Sequence, residues 1–181
     1  PSLEQIRKLR WAPAVLREAM RKYSVVPLIM RVPSEDDVVP ASESGLGRSV
    51  TIPKGASVMV SIEGAHMNPD TWPNPEKFDP NRFLDYIPDA TQATMSTNAA
   101  GESIDPFSYI PFIVGPRNCL GQHVAFVEMQ LLLSFLIWHM MNPATGRLNY
   151  QLCRDPSEVG RRHEFEIPVH PKFGVTIKPV A

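Results

Sequence analysis

The chain has 181 residues, 43% of them hydrophobic, with 18 Lys and Arg against 19 Asp and Glu. A net charge of -1, with no basic stripe, zinc-finger spacing or RNA-binding motif, argues against nucleic acid as a partner. Two cysteines, Cys119 and Cys153, are too few for a disulfide scaffold; reduced thiols fit better, with a single bridge between them left as the alternative.

Nineteen prolines, against roughly nine expected at this length, predict turns and edge strands between residues 27 and 116. The first residue is Pro and no leader pattern follows, so the expectation is a chain cut from, or beginning partway through, a longer one. Leu3 to Tyr23 reads as a helix: Leu16, Ala19, Met20 and Tyr23 recur at three- and four-residue steps, and Pro13 suits a helix start. Pro27 stops it, and the β-branched stretch Val25 to Val32 predicts a strand.

Residues 34 to 47 read as a polar loop. Arg48 to Ile52 and Ser57 to Ile62 read as two strands about the tight-turn signal Pro53-Lys54-Gly55. Residues 66 to 83 form a proline-rich meander with at most one short helix near Pro75 to Phe78, and residues 87 to 106 a surface loop. Phe107 to Gly121 is an apolar loop running into a long apolar segment, Val124 to Met141. Glu128, Gln130, Ser134 and His139 interrupt that segment, so it is expected to be a buried core helix and not a membrane span. Packing or surface roles are expected for His123 and His139. Arg147 to Cys153 and Glu164 to Lys178 alternate like strands, with a hairpin turn at Pro171 to Gly174. The pattern predicts a mainly α fold with small β-sheets (α+β), in one domain without repeats.

The chemistry concentrates in Phe112-Ile113-Val114-Gly115-Pro116-Arg117-Asn118-Cys119-Leu120-Gly121. Cys119 sits where a helix begins, and the free N–H groups there favour an anion, so this sulfur is a candidate thiolate and a soft ligand for iron. Gly115 and Gly121 would let a flat cofactor approach the backbone, and Pro116 stiffens the loop. Arg117 offers a planar fork for a carboxylate, and Phe112 could shield the sulfur from water. A glycine-rich loop with one cysteine is by itself an ordinary buried thiol. The full pattern Phe-x-x-Gly-x-Arg-x-Cys-x-Gly needs five residue types to coincide.

That pattern resembles the haem-binding signature of the cytochrome P450 family. Glu18-Ala19-Met20-Arg21 resembles the family's E-x-x-R motif, and Pro80-Asn81-Arg82-Phe83 its Pro-Glu-Arg-Phe segment, with Asn81 in place of Glu. The resemblance runs over nearly the whole chain but covers only the C-terminal part of a family member. It implies haem b (iron protoporphyrin IX) ligated by Cys119, and a buried network of Glu18, Arg21 and Arg82 that holds the meander behind the haem loop. By the same resemblance, Arg31 and His66 occupy places that contact haem propionates, and Val25, Val26, Leu28 and Ile29 face substrate. No (Ala/Gly)-Gly-x-(Asp/Glu)-Thr stretch is present, so the central helix that carries proton delivery in the family is expected to be absent, and these residues alone inactive.

The implied activity is a monooxygenase acting on a small apolar organic substrate with O2. Electrons would come from NADPH through a cytochrome reductase or a ferredoxin-type donor. The style of the Asn68-Pro69-Asp70-Thr71-Trp72-Pro73 segment implies an endoplasmic reticulum or organelle membrane, with the catalytic domain facing the cytosol. Two alternatives stay open: a same-fold hydroperoxide isomerase or dehydratase, and a non-catalytic haem-binding remnant or sensor.

Overall fold

The structure, a computed structural model, describes residues 4–5, 8–84, 105–152, 161–163, 169–171 and 177–180. The helix α1 runs Trp11–Lys22. Glu4 and Gln5 are also helical but residues 8–10 are not, so the helix expected over Leu3 to Tyr23 is interrupted. Pro13 falls in the first turn of α1, where a missing N–H breaks no intrahelical bond. Arg21 and Lys22 lie in its last turn, where cations favour the helix dipole. Tyr23 N–H closes the helix onto Ala19 O at 2.8 Å.

Four antiparallel strands follow: β1 (Leu28–Arg31), β2 (Asp37–Val39), β3 (Val50–Ile52) and β4 (Val58–Ser61). The two strands that flank the Pro53-Lys54-Gly55 turn do not pair with each other. β1 pairs with β4, Leu28 opposite Ser61, and β2 pairs with β3, Asp37 opposite Ile52. The corner residues explain the exchange. Gly55 N–H donates to Pro33 O at 3.1 Å, and Lys54 N–H to Asp36 Oδ1 at 2.7 Å. The turn is thereby tied to the segment between β1 and β2, so the chain runs out along two strands and returns along two. β2 also lies inside the stretch expected to be loop.

A short helix α2 (Ile62–His66) comes next, its N-terminus capped by Ser61 Oγ, which accepts from Gly64 N–H at 2.9 Å. No helix forms at Pro75 to Phe78. A 3-10 turn forms instead at Pro80–Phe83, with Pro80 at its start and Asp79 accepting from Asn81 N–H. The loop expected at 87 to 106 lies almost wholly outside the described residues.

The long helix α3 spans Gln122–Met140. It is long and apolar enough to cross a membrane by length and composition alone. The expectation that it is buried needs correction: only Phe126 and Gln130 are buried, while Val124, Leu132 and Trp138 are exposed. An evenly apolar helix needs cover on every side, and among the described elements α1 is what it packs against. His123 is exposed on α3; so is His139, whose Nδ1 lies 2.8 Å from Phe135 O.

Beyond α3, β5 (Tyr150–Leu152) pairs with β8 (Ile177–Pro179), and β6 (Arg161–His163) with β7 (Val169–Pro171). Pro171 ends β7; the rest of the hairpin turn expected at 171–174, and Cys153 with its bridge alternative, lie outside the described residues.

Two apolar clusters hold α1 in place. Ala14 packs with Trp72, Phe83 and Tyr109, and Met20 packs with Phe126 against Leu16, Phe112 and Met129. The first ties α1 to the meander and the second ties it to α3 and the Cys119 loop. α1 therefore links the two segments that carry the site.

Candidate functional site

The loop before α3 is shaped by its backbone. Ile113 N–H donates to Ile110 O at 3.0 Å, and Cys119 N–H reaches back to Phe112 O at 2.9 Å. Gly115 has φ +84 and Ile113 φ +64. The first suits glycine; the second places a β-branched residue in the left-handed region, a strain of about 1–2 kcal/mol held by the surrounding bonds. The expected result for Gly115→Ala is a loss of about 1–2 kcal/mol in urea unfolding, although the space beside Gly115 is open.

Cys119 is a free, exposed thiol. It lines a concavity of about 360 Å³ with Met20, Val25, Val26, Phe112 and Met129 among its walls. Those walls are almost wholly apolar. A Cβ built on Gly115 or on Gly121 would meet nothing within 4 Å, so the loop presents backbone and not bulk. The structure brings Val25 and Val26 together with the sulfur; Leu28 and Ile29 lie on β1 outside this lining. Arg117 is exposed on the loop two residues before Cys119. Arg31 is exposed at the end of β1, its Nη1 donating to Met30 O at 2.9 Å.

Behind the loop lies a buried charge clamp. Glu18 and Arg21 are both inaccessible to solvent. Arg21 grips the carboxylate with two bonds, Nε to Oε2 at 2.7 Å and Nη2 to Oε1 at 2.9 Å. Its other donors reach His66 O at 2.9 Å and Pro75 O at 2.7 Å, so one guanidinium ties α1 to α2 and to the meander. Glu18 Oε1 also accepts from Asp79 N–H at 2.8 Å. Arg82 joins more loosely: Nε lies 3.6 Å from Glu18 Oε1, and Nη2 donates to Asn74 O at 3.0 Å. That carbonyl belongs to a residue held at φ +51, another strained corner fixed by the network.

His66 is placed differently from its expectation as a propionate contact. It is fully buried, and both ring nitrogens are engaged within the protein. Nε2 accepts from Ile110 N–H at 2.8 Å, and Nδ1 lies 3.0 Å from Ser24 Oγ. No nitrogen remains for a carboxylate. The reason is its position at the end of α2, turned inward against Tyr109, with ring centroids 5.2 Å apart.

Burial, reinforced by the Arg21 guanidinium, pushes the His66 imidazole down from 6.5 to about 4. Between those values the unfolded chain binds a proton that the folded chain refuses. Stability from this residue is therefore complete above about pH 6.5 and declines by up to about 3 kcal/mol as pH falls to about 4. Urea midpoints at pH 7, 5.5 and 4.5 should show that slope in the native sequence and lack it in His66→Gln.

Several contributors carry no sequence signal of their own. Arg17 is buried with its guanidinium carbon 4.9 Å above the Phe126 ring, and Tyr109 Oη donates to Arg17 O at 3.1 Å. Burial pushes the Tyr109 phenol above its usual range, so it stays protonated as a donor. Trp72 donates from Nε1 to Ser108 O at 3.1 Å and lies against the Arg21 guanidinium. Only residue adjacency in Glu18's helix hinted at Arg17, and a lone Tyr or Trp near a loop is indistinguishable from ordinary core.

A lone sulfur in an apolar dish suits a flat metal macrocycle better than a bare ion. Among the described residues no group of three or more His, Cys, Asp or Glu could hold a metal by itself. The fold and this dish fit the class of haem-thiolate proteins. The family model described as Cytochrome P450 matches residues 1–140. The chain belongs to the cytochrome P450 family, and its cofactor is haem, iron protoporphyrin IX.

Human cytochrome P450 4F12 is 35% identical over 136 residues, covering 75% of this chain and 22% of the relative. Leukotriene-B4 omega-hydroxylase 3 of Mus musculus is 30% identical over 179 residues, 98% of this chain and 28% of the relative. The crystal structure of the cytochrome P450DA heme domain superposes with a TM-score of 0.69 at 25% identity, covering all of this chain and 34% of that one. The chain thus spans about a quarter of the length of these curated relatives.

Proposed function

We propose that residues 1–181 are the C-terminal, proximal portion of a single cytochrome P450 domain, and that the protein is an oxidoreductase of the monooxygenase type. The observation that carries this is the placement of the exposed Cys119 sulfur in an apolar concavity, with the Glu18–Arg21 clamp behind it. Cys119 would hold the iron through its sulfur. Phe112 would keep water from the sulfur, Gly115 and Gly121 would let the macrocycle approach, and Arg117 and Arg31 would take its propionates. Haem held by a thiolate supplies O–O cleavage, assisted by electron density from sulfur. The overall reaction inserts one oxygen atom of O2 into a C–H bond and reduces the other to water, using two electrons and two protons.

Those electrons would come from NADPH through a cytochrome reductase or a ferredoxin-type donor. Val25 and Val26, apolar and in the lining of that concavity, suit an apolar organic substrate. The similarity to the mouse omega-hydroxylase favours a long-chain, fatty-acid-derived one. By family resemblance, the protein would reside at an endoplasmic reticulum or organelle membrane with the catalytic domain in the cytosol. The exposed apolar side chains of α3 are then the inner surface of the domain, covered by the remainder of a longer polypeptide. The span of 34% of a solved haem domain supports this. The test is the carbon monoxide difference spectrum of the reduced full-length polypeptide. A red-shifted, thiolate-type Soret band is expected; a spectrum without it, in protein that binds haem, sinks the reading.

A further inference from the structure

His66 is far from Cys119 in sequence, yet its ring grips the root of the cysteine loop. Ile110 N–H donates to Nε2 at 2.8 Å. Since Nε2 accepts, the neutral ring carries its proton on Nδ1, which donates to Ser24 Oγ at 3.0 Å. Ser24 follows the last turn of α1, and its hydroxyl lies 3.5 Å from Met20 O. Tyr109, the neighbour of Ile110, stacks on the same ring and hydrogen-bonds the α1 backbone at Arg17 O. Ring, Ser24, Tyr109 and Ile110 are all buried.

From Ile110 the constraint continues to the sulfur-bearing residue. Ile110 O accepts from Ile113 N–H, which fixes the turn, and Phe112 O within that turn accepts from Cys119 N–H. Three hydrogen bonds therefore connect the imidazole to the cysteine backbone. The strained Ile113 lies between them, at φ +64, a conformation that relaxes if either end is released.

We propose that His66 is a positioning residue for the thiolate loop: its Nε2 anchors Ile110 N–H and so sets where Cys119 presents its sulfur. This rests on Cys119 being the haem ligand. It replaces a propionate role with a backbone-anchoring one. Burial and the Arg21 guanidinium keep the ring neutral, and its contacts with Ile110 N–H and Ser24 Oγ set the tautomer.

The test uses the haem-loaded full-length polypeptide and reads the ratio of thiolate-type to thiol-type signal in the reduced carbon monoxide difference spectrum. His66→Leu keeps bulk but cannot accept a hydrogen bond, and the ratio should fall roughly tenfold as the buried N–H loses its partner. His66→Gln, whose amide oxygen can accept from Ile110 N–H, should restore most of it. Phe83→Leu weakens the same aromatic cluster without touching that bond, and should lower thermal stability with the ratio unchanged. Should His66→Leu not fold, Ser24→Ala removes only the partner that orients the ring, and a lowered ratio is expected there too. A ratio in His66→Leu equal to that of Phe83→Leu, or equal to wild type in Ser24→Ala, overturns the proposal. A wild-type protein that binds haem with no thiolate-type signal overturns the ligand assignment itself, which separates the two failures.

Discussion

Glu18→Ala lowers the unfolding free energy by about 3–5 kcal/mol, the range for breaking a buried ion pair from one side. Arg21 is inaccessible to solvent and takes two of its bonds from this carboxylate, at 2.7 and 2.9 Å. Removing the carboxylate leaves a guanidinium buried with carbonyls but no counter-charge, and it leaves Asp79 N–H without its acceptor. Glu18→Gln keeps the shape and should cost nearly as much, because charge and not volume is lost. Arg82→Ala should cost only about 1 kcal/mol, since Arg82 is partly exposed and its Nε lies 3.6 Å from Glu18 Oε1. Urea denaturation of the three variants checks the order. Equal losses for Arg82→Ala and Glu18→Ala would show that the three residues act as one unit and not as a clamp with an accessory.

Cys119→Ala has the opposite profile: the stability of the haem-free protein changes by no more than about 0.5 kcal/mol, and the thiolate signature of the haem-loaded protein disappears completely. The side chain is exposed and contributes to neither apolar cluster, so its loss opens no cavity in the core. Its backbone N–H bond to Phe112 O survives the substitution, so the loop keeps its course. Reduced carbon monoxide spectra and haem retention on gel filtration, measured beside the unfolding curve, separate ligand loss from unfolding. A thiolate band that persists in Cys119→Ala would show that another cysteine is the ligand.

Glu18 and Cys119 were both conspicuous in the sequence, for a shared physical reason. Each belongs to a constellation compressed into a few residues. The loop chemistry lies within Phe112 to Gly121, and Glu18 and Arg21 share a helix face at a spacing of three. Local spacing is enough to bring such groups together once a helix or tight loop forms. Arg82 was attached to them only through family resemblance, because nothing local reports a contact across more than sixty residues.

The strands show where local reading fails. Pro53-Lys54-Gly55 signals a turn wherever it occurs, but whether its flanking strands pair with each other depends on what else reaches the corner. Here Pro33 and Asp36 do, and the pairing passes to β1 with β4 and β2 with β3. His66 shows the same limit for a side chain: its role follows from Ile110 and Ser24, both more than forty residues away.

The sequence by itself marked the cysteine loop, the Glu–Arg pair and the long apolar helix, which follow from spacing within one or two turns of chain, while the haem role of the loop rests on family resemblance. Tertiary structure alone decided which strands pair, which α3 side chains find cover, and that a histidine expected at a haem propionate instead holds the cysteine loop. Those outcomes depend on groups brought together from distant parts of the chain, where burial sets the cost of every unpaired donor and no local pattern records the partner.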